Sequence, residues 1–342
     1  MALRSGRVSV TIAQVSATRS VVEWYLKRYF RSADDPGLLP MFCDAGRVGA
    51  FAISAEEVAE RDSPALFRLL VGMTMFQRRQ DLQIMRILRG IGRRDADELA
   101  SVDRLASLVK RGPCELMRTT QLLHERCDLT KDPRTRLGMC SANPDAQCHL
   151  KRHTVLLKRY GHFGKVPTSS ALALLEAGHS SVGALAEQIA RVHRSRLERS
   201  QAFEAALSRA WRVNQKISAM YLSALTNPDL APARPPWATE FDWTYFVVID
   251  SNVDRFLASL KYRGNGTYEA RRDFICRLAE RIPLDKIDRS LQRYNPRLVQ
   301  QAMYIFMSTA NRRVAARDCT HEPAACVQCP RVLERRCSVS HL

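Results

Sequence analysis

The chain has 342 residues and carries 53 Lys and Arg against 35 Asp and Glu, a formal net charge of +18. Its 46% hydrophobic content excludes a chain that stays disordered throughout. No apolar run reaches the ~18 residues a membrane-spanning helix requires, so a membrane is excluded and a polyanionic partner, nucleic acid, is favoured. Met1 to Ile12 lacks an apolar core with a cleavage site, so no secretory leader is expected, and the expected location is cytoplasmic and nucleoid-associated. Ten cysteines in such a chain point to a metal site plus buried thiols rather than to a disulfide framework.

Residues 1–20 are polar and are expected to be poorly ordered, with a short helix from Val21 to Phe30 carrying Trp24, Tyr25 and Tyr29. Ser54-Ala-Glu-Glu57 has the form of a capping box. From Ser63 the pattern becomes strongly helical: Pro64 to Gln77 as a buried helix, Leu82 to Leu88 as an amphipathic one, then Leu99 to Val109 and Glu115 to Glu125. Between Cys127 and Cys148 the chain is irregular and polar. Cys127, Cys140, Cys148, His149 and His153 are candidate metal ligands there, but their spacing fits no compact zinc pattern, and scattered cysteines read first as small buried hydrophobes.

Leu150 to Tyr160, Ser170 to Glu176, Val182 to Val192 and Leu197 to Val213 continue the helical run, and a further helical pattern extends from Leu207 to Leu225. The Pro-rich stretch Asn227 to Trp237 reads as a stiff loop, of the kind that is often functional. An apolar run, Tyr245 to Ile249, leads directly into Asp250, and helices are expected over Val253–Lys261, Tyr268–Glu280 and Pro296–Ala310. Without clear period-2 runs, the fold class is all-α.

An acid that opens a helix after an apolar run is an N-cap, a functional carboxylate, or both, since the helix dipole favours negative charge there. Lys216, one helix upstream, offers an amine nucleophile to pair with it. The chain closes on Cys319-x6-Cys326-x2-Cys329-x7-Cys337, four thiols with a metal-ligand spacing that suits an iron–sulfur cluster or tetrahedral zinc. Such a loop would hold Arg331, Arg335 and Arg336 in an array able to meet phosphates.

The segment Trp211-Arg-Val-Asn-Gln-Lys-Ile-Ser-Ala219 resembles the helix-hairpin-helix of DNA glycosylases of the endonuclease III superfamily, and Ile249-Asp-Ser-Asn-Val253 resembles the segment carrying that family's essential aspartate. Arg212 and Asn214 stand where the family hairpin has glycines, and the last cysteine gap is seven where the family has five. The resemblance implies a two-domain all-α fold, with residues 63–237 as a helical domain bearing the hairpin. Residues 1–62 and 238–342 would form the second domain, carrying the catalytic Asp and the cysteine loop. It also implies that Lys216 and Asp250 are catalytic, at the base of a cleft that takes double-stranded DNA. Gln77 falls on the wedge residue that fills the gap of a flipped-out base, and Arg78, Arg212, Asn214 and Gln215 are the other implied DNA contacts. Cys319, Cys326, Cys329 and Cys337 would hold a [4Fe-4S] cluster, with zinc as the alternative. The implied activity, for a monomer, is excision of a damaged or modified base, with strand cleavage if Lys216 forms a Schiff base. The alternative class is a non-catalytic, metal-stapled DNA-binding protein.

Overall fold

The computed structural model describes residues 9–32, 37–112, 114–132, 134, 137–142, 144, 148–158, 161–230, 235–308, 326–327, 329 and 331–337. Helix α1 spans Ile12–Arg28, and α2 (Leu38–Phe42), α3 (Ala45–Val48) and α4 (Ala55–Ala59) are short. Next come α5 (Ser63–Thr74), α6 (Asp81–Arg89), α7 (Arg93–Leu99), α8 (Val102–Arg111) and α9 (Thr120–Glu125). A two-residue antiparallel ladder joins β1 (Thr130–Lys131) to β2 (Gly138–Met139), with Thr130 opposite Met139. Helices α10 (His149–Leu156), α11 (Val166–Glu176), α12 (Val182–Val192), α13 (Arg196–Leu207) and α14 (Gln215–Thr226) follow. Last are α15 (Ser251–Ser259), α16 (Tyr268–Glu280), α17 (Pro296–Met307) and α18 (Arg331–Glu334). The class is all-α, and no described helix is long and apolar enough to cross a membrane.

Two compact units divide the chain: Met1–Gly37 with Val247–Leu342, and Leu38–Phe246. In the second unit, α5 is the buried centre. Asp62 caps it by accepting from the Ala65 amide at 2.8 Å, Pro64 sits in its first turn, and Leu66 to Thr74, except Arg68, are buried. Helices α11, α12 and α14 pack around it. Every residue of α14 from Ile217 to Thr226 is buried, and the Tyr221 hydroxyl donates to the Leu66 carbonyl at 3.0 Å. Gly72 lets the Phe42 ring approach, since a Cβ there would meet Phe42 Cε1 at 2.4 Å.

In the first unit, α17 is central and α1, α15 and α16 pack against it. Phe306 receives Trp24 and Phe256 edge-on, at centroid separations of 5.6 and 6.1 Å, the favoured geometry for aromatic pairs.

Three departures from the sequence expectations have local causes. Helix α1 starts at Ile12, inside the stretch expected to be poorly ordered, because Thr11 and Gln14 form a capping box and Gln14 also donates to the Leu260 carbonyl at 2.9 Å. The continuous helical pattern through residue 213 is broken at Leu207, and α14 begins afresh at Gln215 under an Asn214 cap. Residues 38–62 and 238–246 belong with the helical unit rather than with the C-terminal one. There α3 packs on α6, and Trp237 and Phe241 meet Phe203 at 5.5 and 5.2 Å.

Tyr221→Phe removes one buried hydroxyl and keeps the ring, so it is expected to destabilise the protein by about 1 kcal/mol, read as a lowered midpoint in urea with an unchanged slope.

Candidate functional site

Between α13 and α14 the chain reverses through residues 208–214. Arg212 carries the turn in the left-handed region, at φ 62°, a conformation that costs an L-residue about 1–2 kcal/mol. Asn214 does not share that role: it is extended (φ −94°, ψ 179°), and its side chain caps α14 by accepting from the Ile217 amide at 3.2 Å. The positive end of the α14 dipole is therefore presented at the hairpin.

A second loop, after α5, is tied to this one. Gln77 Nε2 donates to the Arg212 carbonyl at 3.2 Å and to the Thr74 carbonyl at 2.8 Å, and Lys216 Nζ donates to the Phe76 carbonyl at 3.1 Å. Arg78 is exposed and also left-handed, at φ 55°. Burial, and then the nearby Arg78 charge, lowers the pKa of the Arg212 guanidinium, so two like charges are held within interaction range of each other. Arg212 Nη2 donates to His162 Nε2 at 2.8 Å, and its guanidinium lies 5.2 Å from the Phe163 ring centroid. The structure thus gathers Gln77, Arg78, Arg212 and Asn214 on two neighbouring loops, with Gln215 and Lys216 opening α14.

Behind the hairpin is a cluster that sequence reasoning missed. The Trp211 ring meets His124 at 5.1 Å and His162 at 6.4 Å, and the buried Lys165 ammonium sits 4.5 Å from its centroid. Ser169 Oγ accepts from the Trp211 amide at 2.7 Å and lies 2.8 Å from His124 Nε2. Burial, with help from the Lys165 charge, lowers the His124 pKa. These residues come from three separated segments, and no local motif connects them.

Asp250 belongs to the other unit. It is the N-cap of α15, and Oδ1 alone accepts both the Asn252 and Val253 amides, each at 3.0 Å. No hydrogen bond to Oδ2 is found among the described residues. The apolar run before it is buried from Phe246 to Ile249. The Tyr268 hydroxyl clamps that run by donating to the Val247 carbonyl at 2.7 Å and accepting from the Ile249 amide at 3.3 Å.

Of the C-terminal thiols, Cys326, Cys329 and Cys337 are described and Cys319 lies outside the described residues. The Cys329 amide closes a turn onto the Cys326 carbonyl at 3.0 Å, and the Cys337 amide bonds the Glu334 carbonyl at 3.0 Å. That turned Cys-x2-Cys backbone, with Cys326 buried, is a soft-donor arrangement compatible with an iron–sulfur cluster or zinc. Among the described residues no three His, Cys, Asp or Glu side chains converge as a metal site. Arg331 and Arg335 are exposed, whereas Arg336 is half-buried and donates to the Ser259 carbonyl at 3.1 Å. Arg336 is therefore a strut to α15 rather than a third member of the expected arginine array.

His149 and His153, the other expected candidate ligands, are engaged elsewhere. His149 Nε2 lies 3.0 Å from Thr168 Oγ1, and the fully buried His153 has Nε2 3.2 Å from Glu98 Oε1. His153 is the leading cause of a lowered Glu98 pKa. Neither a family model, nor a curated protein, nor a solved structure matches this chain. The reading of the site accordingly stands on its own chemistry.

Burial, reinforced by the neighbouring His153, lowers the His149 pKa from 6.5 to about 3. An unfolded chain binds a proton at this residue below pH 6.5 that the folded one refuses until about pH 3, so its contribution to stability is full above 6.5 and is lost as pH falls through that window. His149→Gln keeps a polar partner for Thr168 and removes the titration. Unfolding free energies measured between pH 6.5 and 4 are expected to lose a slope of up to about 1.4 kcal/mol per pH unit in this variant.

Proposed function

We propose that the protein is a DNA glycosylase of the helix-hairpin-helix, endonuclease III type, acting on double-stranded DNA. The observation that carries this reading is the joining of two loops at the N-terminus of α14, where Gln77, Arg78, Arg212 and Lys216 meet. The +18 charge, the Asp250 cap and the C-terminal thiols support it. A helix N-terminus flanked by arginines suits a phosphate, and held against the backbone it gives the grip needed to flip out a base, which costs a few kcal/mol of stacking. In this reading Gln77 occupies the gap in the duplex.

Asp250 stabilises positive charge that develops on the sugar as the C1′–N bond breaks. Anchoring through Oδ1 leaves the other oxygen to face that charge, with no reorganisation at the moment of reaction. Lys216 attacks C1′ as an amine in the bifunctional form of the mechanism; the contact of its ammonium with the Phe76 carbonyl favours the monofunctional form, in which water attacks and Lys216 positions the loops. Cys319, Cys326, Cys329 and Cys337 would hold a structural [4Fe-4S] cluster, with zinc as the alternative, and no step of the reaction is routed through it.

The test is incubation with a panel of duplexes carrying oxidised, mismatched or bulky modified bases. Wild-type protein is expected to leave abasic product on at least one of them. Asp250→Asn is expected to cut turnover by about 10²-fold or more while DNA affinity holds, because the lost charge acts only in the transition state. Borohydride added during turnover distinguishes the two roles of Lys216, since only a Schiff base is trapped. Binding without base release from any duplex would favour the non-catalytic binder.

Arg78 separates grip from stability. Glycine relieves its left-handed backbone, so Arg78→Gly is expected to stabilise the fold by up to about 1 kcal/mol. The same change removes a phosphate contact, so the slope of log K against log salt should become shallower by about 0.9. Equal salt slopes for variant and wild type would remove Arg78 from the DNA surface.

A further inference from the structure

The irregular stretch between α8 and α10 holds four thiols that the C-terminal cluster does not use. Cys114 opens the turn Glu115–Met117, Cys127 precedes β1, Cys140 follows β2 directly, and Cys148 is the N-cap residue of α10. Continued past β1 and β2, the strand register sets Cys140 opposite Leu129, two residues from Cys127. Thr130 pairs with Met139, and two steps further out the Ser141 amide bonds the Asp128 carboxylate at 3.1 Å. Helix α10 packs on β2, and Cys148 Sγ lies 3.8 Å from Met117 Sδ, in the turn that Cys114 begins. Cys114, Cys127 and Cys148 pack against the same small cluster of Met117, Leu123, Leu129, Leu150 and Leu172.

We propose that Cys114, Cys127, Cys140 and Cys148 form a structural zinc site, a four-thiolate staple that holds the β1–β2 excursion against α10 and α11. The thiols are near enough to act on each other electrostatically: Cys127 feels Cys140 and Cys114, and Cys148 feels Cys127 and Cys114. Binding releases four protons, as four thiols and Zn²⁺ become a complex of charge −2. The buried ammonium of Lys165 offsets part of that charge. It acts on Cys127 electrostatically and is fixed there by donating to the Cys127 and Leu123 carbonyls, the latter at 3.2 Å.

All four cysteines lie outside helices and strands, and their sulfurs, which do not converge in the structure, would be drawn together by the ~2.3 Å bonds of tetrahedral zinc. The close Met117 contact and the surrounding leucines suit a single ion rather than a four-iron cube. His149 and His153 take no part, being engaged by Thr168 and Glu98. The excursion also needs such a staple: a two-residue ladder and one five-residue apolar cluster are a small core for its length, and metal binding supplies folding energy directly.

The test uses the full chain, grown with both iron and zinc, and reads metal content together with the sites alkylated by N-ethylmaleimide. One zinc per chain is expected, with Cys114, Cys127, Cys140 and Cys148 protected until a zinc chelator raises their alkylation by about tenfold or more. Cys140→Ser should lose that zinc, whereas Cys326→Ser, in the other cysteine cluster, should keep the protection of these four. The alkylation map needs no variant, so it stands if a variant fails to fold. Protection of the four thiols that a chelator does not change, or zinc that leaves with Cys326→Ser and stays with Cys140→Ser, would overturn the assignment.

Discussion

The left-handed turn at Arg212 is the constraint on which the candidate site depends. It lies between the end of α13 and the cap of α14, directs the chain into α14, and presents the carbonyl that Gln77 holds. Glycine would make the same turn without strain. With arginine there, the hairpin accepts a cost of about 1–2 kcal/mol and holds a guanidinium against His162 and the Phe163 ring, within range of the charge of Arg78. Buried packing keeps the turn closed: Val213 and Ile217 are core residues, and Tyr221, one turn further along α14, reaches the Leu66 carbonyl.

The same exchange of backbone comfort for charge recurs along the chain. Among the described residues, the non-glycine positions with positive φ are Arg31, Arg61, Arg78, Lys158, Arg212 and Lys261, all of them basic and all shortly after a helix. Two of them end a helix as glycine commonly does. Past Arg61 the Asp62 amide returns to the Glu57 carbonyl at 2.8 Å, and past Lys261 the Tyr262 amide returns to that of Leu257 at 3.0 Å. A cation at a helix C-terminus interacts favourably with the dipole, but by about 0.3–1 kcal/mol, which does not cover the strain. The remainder is consistent with selection for a positive surface, which the net charge of +18 shows independently.

Helices whose apolar period is clean were legible to the residue. Val182–Val192 and Tyr268–Glu280 have the bounds their patterns predict, each with a Ser or Thr cap in front. Legibility failed where a single side chain decides. The Leu207–Leu225 pattern reads as one helix because nothing in its periodicity reveals that Arg212 turns left-handed. Helix α1 was read too short because polar composition outweighed the Thr11–Gln14 capping box. The cluster of Trp211, His124, His162, Lys165 and Ser169 was invisible for another reason: its members meet only through tertiary packing. Asp250 and the hairpin residues can be singled out from sequence as candidates because their chemistry is local, an acid after an apolar run and a lysine in the first turn of a helix.

What the located residues share is that each is anchored before any ligand arrives. Gln77 is held by two carbonyls, Lys216 by the Phe76 carbonyl, Arg212 by His162 and the Phe163 ring, and Asp250 by two amides on one oxygen. Side chains this long lose rotamer freedom worth about 0.5–1.5 kcal/mol each when a ligand immobilises them. Here much of that loss is taken during folding, so in the proposed reading a polyanion would meet groups already ordered. The anchors also differ in kind. Those of Gln77 and Lys216 are backbone carbonyls, which a ligand's own groups can replace; that of Asp250 is part of a helix cap, which opens only if α15 frays. Asp250 is therefore the most rigidly set of the group. That is the property wanted of a carboxylate that must face developing charge, and it is dispensable in a residue that only meets a phosphate.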